Sequence, residues 1–339
     1  MRRPLGSLEF RYRIPPVASI STARGSIDSS QLGVTLMHEH IFVIDADVWL
    51  NYPSEWESEE KQIANAVARL NDLKTRGVDS IVDLTVVGLG RFIPRIAKVA
   101  RQTPLNIIFA TGIYTYRDAP FFFHLRVPQP GAVDIMTEMF VRDIEKGVGE
   151  TGLCAGVLKC ATDEHGVTKD IERILRSVAQ AHRQTGVPIS THTFARGKVG
   201  LDQQRIFREE GVDLTRVVIG HCGDATDLNY LEQLVGAGSY IGMDRFGIDT
   251  ILPFEERVNT VAEMCKRGHA KSMVLSHDAN CFFHWLPRDQ VAAALPRWSY
   301  KHIHDDVIPA LKQKGVTDEQ IRTMLVENPR RYFEKQGAY

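Results

Sequence analysis

Val34–Thr35–Leu36–Met37–His38–Glu39–His40–Ile41–Phe42–Val43 is a largely apolar run that carries two histidines two residues apart. It reads as a buried strand. Side chains alternate across a strand, so His38 and His40 point to one face and Glu39 to the other. Neutral imidazole is a common ligand for Zn²⁺ and its neighbours, and two rings converging at a strand end have the geometry of a metal site. Alone, the pair is also what a surface histidine beside a hydrogen-bonded core histidine would give. The later strands decide between these readings.

Seven further short apolar runs follow, at 80–85, 106–112, 155–160, 188–192, 216–221, 239–243 and 271–277, after the first at 35–40. None alternates cleanly, as expected of strands buried on both faces of a parallel sheet. Helical patterns lie between them. Ile63, Val67, Leu70 and Leu73 share a face, with Ser58 as N-cap and Gly77 as stop. Ile171, Leu175 and Val178 repeat this between Thr168 and Gly186, and Leu228, Leu231, Leu234 and Val235 precede Gly236 and Gly238. After the last strand, Val307, Ala310 and Leu311, then 318–325 and 328–335, read as helical. Eight strands alternating with helices in 339 residues indicate one (β/α)8 TIM barrel, an α/β fold, spanning 25–339 as a single domain. A doubly wound sheet usually carries a Gly-rich phosphate turn after its first strand, where this chain has His-Glu-His. Residues 1–24 read as an N-terminal arm, disordered or foreign to the barrel.

Composition narrows the function. The chain has 41 basic and 42 acidic residues, a net charge of −1, so it carries no footprint of nucleic-acid or membrane binding. Nor does it contain an apolar run of about 18 residues. Five cysteines without a Cys-x-x-Cys spacing argue against a disulfide scaffold and a structural zinc knuckle. The expected compartment is reducing and cytoplasmic. Arg2, Arg3, Arg11 and Arg13 lack the apolar segment that a secretory signal needs.

The strand ends carry the chemistry. The first ends in His38 and His40, the fourth carries Lys159, the fifth ends in His192, the sixth in His221, and the eighth runs into Asp278. In a barrel those ends form one rim, where catalytic residues gather. Any one of these could be ordinary: a core histidine, a helix-capping aspartate. Lys159 is harder to dismiss, because a buried ammonium without a partner is expensive. Two divalent ions among four neutral imidazoles and one aspartate would lack negative charge; a lysine carboxylated by CO₂ would supply it and bridge them. His302 and His304 also form a His-x-His, but at a helix start, where such positions do not share a face. They are assigned no metal. His277, next to Asp278, should point away from the rim.

His38-x-His40, Lys159, His192, His221 and Asp278, in this order, resemble the phosphotriesterase family of the amidohydrolase superfamily. So do the words Thr35–Leu36–Met37–His38–Glu39–His40, Gly220–His221–Cys222–Gly223–Asp224 and Leu275–Ser276–His277–Asp278. The resemblance runs from about Gly25 to the C-terminus. It implies a binuclear centre of zinc, or of iron, cobalt or manganese. His38, His40 and Asp278 would hold the buried ion, and His192 and His221 the exposed one. Carboxylated Lys159 and a hydroxide would bridge them.

Within the family the sequence looks like the phosphotriesterase-like lactonases, through Tyr114 after the third strand, Arg245 after the seventh and Trp285 beyond Asp278. Tyr114 would face the lactone, Arg245 would sit at the strand-seven position and Trp285 would shape an acyl-chain channel. Alternatively, Tyr114 is packing, Arg245 pairs with Asp244 or Asp249, and Trp285 is a dimer contact. The expectation is a homodimeric lactonase acting on N-acyl homoserine lactones (quorum quenching), with Asp278 and Tyr114 catalytic and weak organophosphate triesterase activity alongside. A dedicated phosphotriesterase and a metal-free barrel scaffold are the alternatives. A mononuclear deaminase of the superfamily fits less well, since His192–Thr193–Phe194–Ala195 lacks the His-x-x-Glu element.

Overall fold

Each of the eight apolar runs becomes a strand of one parallel sheet in the computed structural model, which describes residues 18–334 and 337–339. They are β1 (Thr35–Glu39), β2 (Ser80–Asp83), β3 (Asn106–Gly112), β4 (Val157–Thr162), β5 (Ile189–Thr193), β6 (Val217–Ile219), β7 (Tyr240–Met243) and β8 (Met273–Leu275). Their order in the sheet is their order in the chain. All residues of β1, β2, β4 and β5 are buried, which explains why the runs do not alternate.

Helices α1 (Glu59–Thr75), α2 (Ile93–Ala100), α3 (Ile135–Glu145), α4 (Lys169–Thr185), α5 (Gly200–Glu209), α6 (Leu228–Gly236) and α7 (Phe254–Lys266) connect successive strands, and α8 (Ile308–Gln313) follows β8. The expected caps are in place. Ser58 Oγ accepts from Lys61 N, and Thr168 Oγ1 from Ile171 N. Gly186 closes α4 at φ 74°, a left-handed turn that glycine adopts without penalty. Gly236, expected as a stop, is instead the last residue of α6.

Strand β4 begins and ends two residues later than the pattern suggested, so Lys159 lies mid-strand, opposite Ser190 on β5. Its neighbours Gly156 and Ala155 form the approach to the strand rather than its start. The boundary expected at residue 25 also shifts. Ser19–Thr22 pairs antiparallel with Gly25–Asp28, and Ala23 N donates to Ile107 O, tying this hairpin to β3. The remainder of the expected arm, 1–17, lies outside the described residues, as does Lys335 of the last expected helix.

The sheet closes between β1 and β8 at one end. His38 N donates to Ser276 Oγ (2.9 Å), Asp278 N to His38 O (3.0 Å) and His40 N to Ala279 O (2.8 Å). Behind this seam Glu39 is fully buried and accepts from Ser276 Oγ, His277 N and Ala279 N; its Oε1 also bonds His277 Nδ1. Glu39 and His277 therefore face away from the rim, as the alternation required. Two short segments, Phe42–Val43 and Phe282–Phe283, pair in parallel just beyond the seam and brace the rim. No helix among the described residues is long and apolar enough to cross a membrane.

Candidate metal centre

All nine site residues expected from the sequence line one cavity of about 240 Å³ at the C-terminal ends of the strands. Asp278 is its hub. Its Oδ1 lies 3.1 Å from His40 Nε2 and 3.6 Å from His38 Nε2, and its Oδ2 lies 3.8 Å from His221 Nε2. Asp278 and His221 both hold positive φ, 55° and 61°, a region that non-glycine residues enter only when the surroundings enforce it. Two side chains that converge on the cavity are thus aimed by unfavourable backbone turns.

The far side of each ring is fixed by a specific partner. Asp244, buried at the end of β7, accepts from His221 N (2.8 Å) and contacts His221 Nδ1 (2.9 Å) and His38 Nδ1 (3.0 Å). Burial works to raise the Asp244 carboxyl, but His38 beside it, with Lys159 and Arg245, holds it below the usual range. An ionised carboxylate only accepts, so both Nδ1 atoms carry the proton and both Nε2 lone pairs face the cavity. His40 Nδ1 meets Thr85 Oγ1 at 2.8 Å. His192 is turned the other way: Nε2 bonds Asp163, leaving Nδ1 toward the cavity, 3.5 Å from Arg245 NH2.

Burial pushes His38 and His192 down to about 4 and His221 well below its ordinary value, so these rings are neutral, as ligation requires. Lys159, fully buried with Nζ 3.1 Å from His38 Nε2, is pushed down to about 8 by the same desolvation. Asp278 lies well below the carboxylate range despite its burial, through His38, the hydrogen bond from His40, His221 and Arg245. His38, His40 and Asp278 each present a ligand atom, all within 4.8 Å of one another. The neutral His38 ring with its outer nitrogen engaged, the His40 ring beside it and the ionised Asp278 oxygen between them fit a divalent cation.

Arg245 pairs neither with Asp244 nor with Asp249. Its Nε donates to Asp278 Oδ2 (3.0 Å) and its NH1 to Asp224 Oδ2 (3.0 Å), so it reaches across the cavity floor. Asp249 engages Arg297 instead. Tyr114 stands edge-on to His192 with centroids 5.2 Å apart, and its hydroxyl bonds that of Tyr116 at 2.6 Å. Burial holds the Tyr114 phenol well above its ordinary value, hence protonated. Trp285 is 43% exposed at the cavity mouth, packed on Phe283. His302 bonds Asp306 and takes no part.

Sequence reasoning missed Asp244, Asp163 and Asp224. Asp244 and Asp163 directly follow a strand's last residue, and Asp224 ends the turn after β6; what each contacts is set by the fold.

The sequence matches the profile of the phosphotriesterase family over residues 18–333. The chain belongs to the phosphotriesterase family. It is therefore a metal-dependent hydrolase, and its buried His and Asp groups could hold a metal ion. Among its relatives, a phosphotriesterase homology protein of Mycobacterium tuberculosis is 65% identical over 322 residues, 94% of this chain and 99% of that one. An aryldialkylphosphatase of Saccharolobus solfataricus is 40% identical over 323 residues, 95% and 99% of the two chains. A solved structure of the phosphotriesterase from Mycobacterium tuberculosis superposes with a TM-score of 0.92 at 64% identity, covering 95% of this chain and all of that one.

Proposed function

We propose that this phosphotriesterase-family hydrolase is a lactonase that opens N-acyl homoserine lactones, and that it hydrolyses organophosphate triesters more slowly. The supporting observation is the two-part cavity. Its floor holds the histidines, Lys159, Asp278 and Arg245; its wall is Val43, Leu89, Ile248, Ile251, Phe283, Trp285 and Trp298. A lactone head over the floor and an acyl chain along the wall match both surfaces.

In this reading His38, His40 and Asp278 would hold one ion and His192 and His221 the second, and Lys159, carboxylated by CO₂, would supply the negative charge that the imidazoles lack. Zinc is the first candidate, with iron, cobalt and manganese behind it. When bound, such a pair of divalent cations would supply Lewis-acid polarisation of the electrophile's oxygen and a water acidic enough to act as nucleophile near neutral pH. Asp278 accepts the proton that the attacking water loses. It passes that proton to the ring oxygen as the acyl C–O bond breaks, so that water and lactone give a hydroxy acid. Arg245, bonded to Asp278 Oδ2, restricts the rotation of that carboxylate. Tyr114, protonated at working pH, donates to the developing oxyanion. Trp285 bounds the acyl chain. Homodimerisation and a cytoplasmic location complete the reading; all five cysteines are free, which suits a reducing compartment.

A dedicated triesterase would use the same floor, and the aryldialkylphosphatase relative favours it as the second reading. Rates for metal-replete enzyme on a long-chain N-acyl homoserine lactone and on paraoxon separate the two. The lactone should have the higher kcat/KM; a higher value for paraoxon overturns the assignment. Near-zero metal after supplying Zn²⁺ or Co²⁺ with bicarbonate would overturn catalysis of this kind altogether.

A further inference from the structure

Asp278 reaches the cavity from a left-handed backbone turn, φ 55°, that L-residues ordinarily avoid. Glu39, the last residue of β1, is fully buried and gathers four donors from the segment that contains Asp278. Its Oε1 accepts from Ser276 Oγ (2.8 Å) and His277 N (3.1 Å) and meets His277 Nδ1 at 2.6 Å; its Oε2 accepts from Ala279 N (2.9 Å). The ring contact is a donation too. Ile303 N donates to His277 Nε2 (2.9 Å), so that nitrogen offers its lone pair and the ring proton sits on Nδ1. A left-handed residue turns the N–H groups around it into a concavity suited to an anion. Here the N–H groups of His277 and Ala279, one on each side of Asp278, close on a single carboxylate.

We infer that Glu39 is the positioning residue for Asp278: its carboxylate holds the left-handed turn that aims Asp278 at His38 and His40. Glu39 lies between those two histidines in the chain and faces the opposite way. The residue that holds Asp278 therefore shares a backbone with both rings that Asp278 approaches, at 3.6 Å and 3.1 Å. Other bonds tie the segment along β1. Ser276 Oγ accepts from His38 N (2.9 Å), Asp278 N donates to His38 O (3.0 Å), and His40 N donates to Ala279 O (2.8 Å). Glu39 fixes the turn itself, because it takes an N–H from each side of it. Glutamine in its place would keep the shape but bring one NH₂. With its oxygen toward the three donors at Oε1, the NH₂ faces Ala279 N, donor against donor, and the turn loses its hold on that side.

The part that Asp278 plays in turnover rests on the proposed function; its backbone conformation does not. Two experimental arms keep these distinct. In crystals of the full-length, metal-replete chain, Glu39→Gln should displace the Asp278 carboxylate by about 0.5 Å or more from its place in the parent. A smaller displacement refutes the positioning whatever the protein hydrolyses. The second arm is kinetic, in excess Zn²⁺, on whichever of the lactone and paraoxon the parent turns over faster. For Glu39→Gln, kcat should fall about tenfold or more while KM stays within about twofold. Asp278→Asn should lose at least as much, and the double variant no more than Asp278→Asn alone, because Glu39 acts through Asp278. Unchanged kcat in Glu39→Gln, or losses that multiply in the double variant, refute the inference. If Asp278→Asn keeps the parent's turnover, the functional reading falls, and the inference is decided by the crystals. If Glu39→Gln does not fold, Glu39→Asp, which keeps the charge on a shorter arm, goes through both arms with the same criteria.

Discussion

Asp244→Asn is the sharpest test of how the metal centre is held. Three groups, His221 N, His221 Nδ1 and His38 Nδ1, converge on the two oxygens of Asp244. Asparagine is nearly isosteric but brings one oxygen and one NH₂. The better orientation keeps the oxygen on the His221 side, where two donors meet it. The NH₂ then faces His38 Nδ1, donor against donor. His38 escapes only by moving its proton to Nε2, the nitrogen that faces Asp278, and there it no longer offers a lone pair. Losing one such outer partner costs about 10–100-fold in metal affinity, roughly 1.4–2.8 kcal/mol. In the proposed centre the loss should fall on the ion that His38 would hold and leave the His192 side weakly affected. Metal counting during dialysis against a graded chelator reads this directly. Circular dichroism and melting confirm that the barrel remains. If the variant keeps both ions at the wild-type release rate, the tautomer argument is wrong and Asp244 merely fills space.

Lys159→Ala should lose metal and activity, with part of both restored by a small carboxylic acid; a variant that keeps two ions without rescue contradicts the lysine bridge. Trp285→Ala should change the preference among acyl-chain lengths while metal content stays at the wild-type value; an unchanged preference removes Trp285 from the substrate wall. His182 supplies a pH test remote from the metals. It is fully buried between Val187 O and the Tyr339 hydroxyl (2.7 Å each), and burial pushes it down to about 4 from 6.5. Between those values the unfolded chain binds the proton and the folded one does not. This contribution is therefore intact above pH 6.5 and is lost as pH falls toward 4, amounting to about 3 kcal/mol. Urea titrations at several pH values should give His182→Gln a flatter profile than the parent; an equal slope would show that His182 does not titrate as described.

The barrel was legible because its evidence is local. A short β-branched or otherwise apolar run, then a turn, then a helical stripe, repeats along the chain, and each unit can be read without knowing its neighbours. The residues that share the cavity were legible because most of them recur at equivalent places in those units. What was not legible depends on contacts between units. Asp244 looks like one partner for Arg245 until the fold places it between His38 and His221, whose strands are remote from it in sequence. Arg245 likewise turns to Asp224 and Asp278 rather than to its sequence neighbours. The hairpin at Ser19–Thr22 is four polar or β-branched residues with no pattern of their own, and it is fixed by Ala23 docking on β3.

The seam between β1 and β8 ties the pocket's assembly to the completion of the fold. His38 and Ser276, 238 residues apart, meet there, one residue from His277 and two from Asp278. A nascent chain therefore cannot present the full donor set until Ser276 and Asp278 have emerged, and any fraying that unzips this joint scatters those donors in the same motion. Assembly of the reactive centre and closure of the cylinder are a single event.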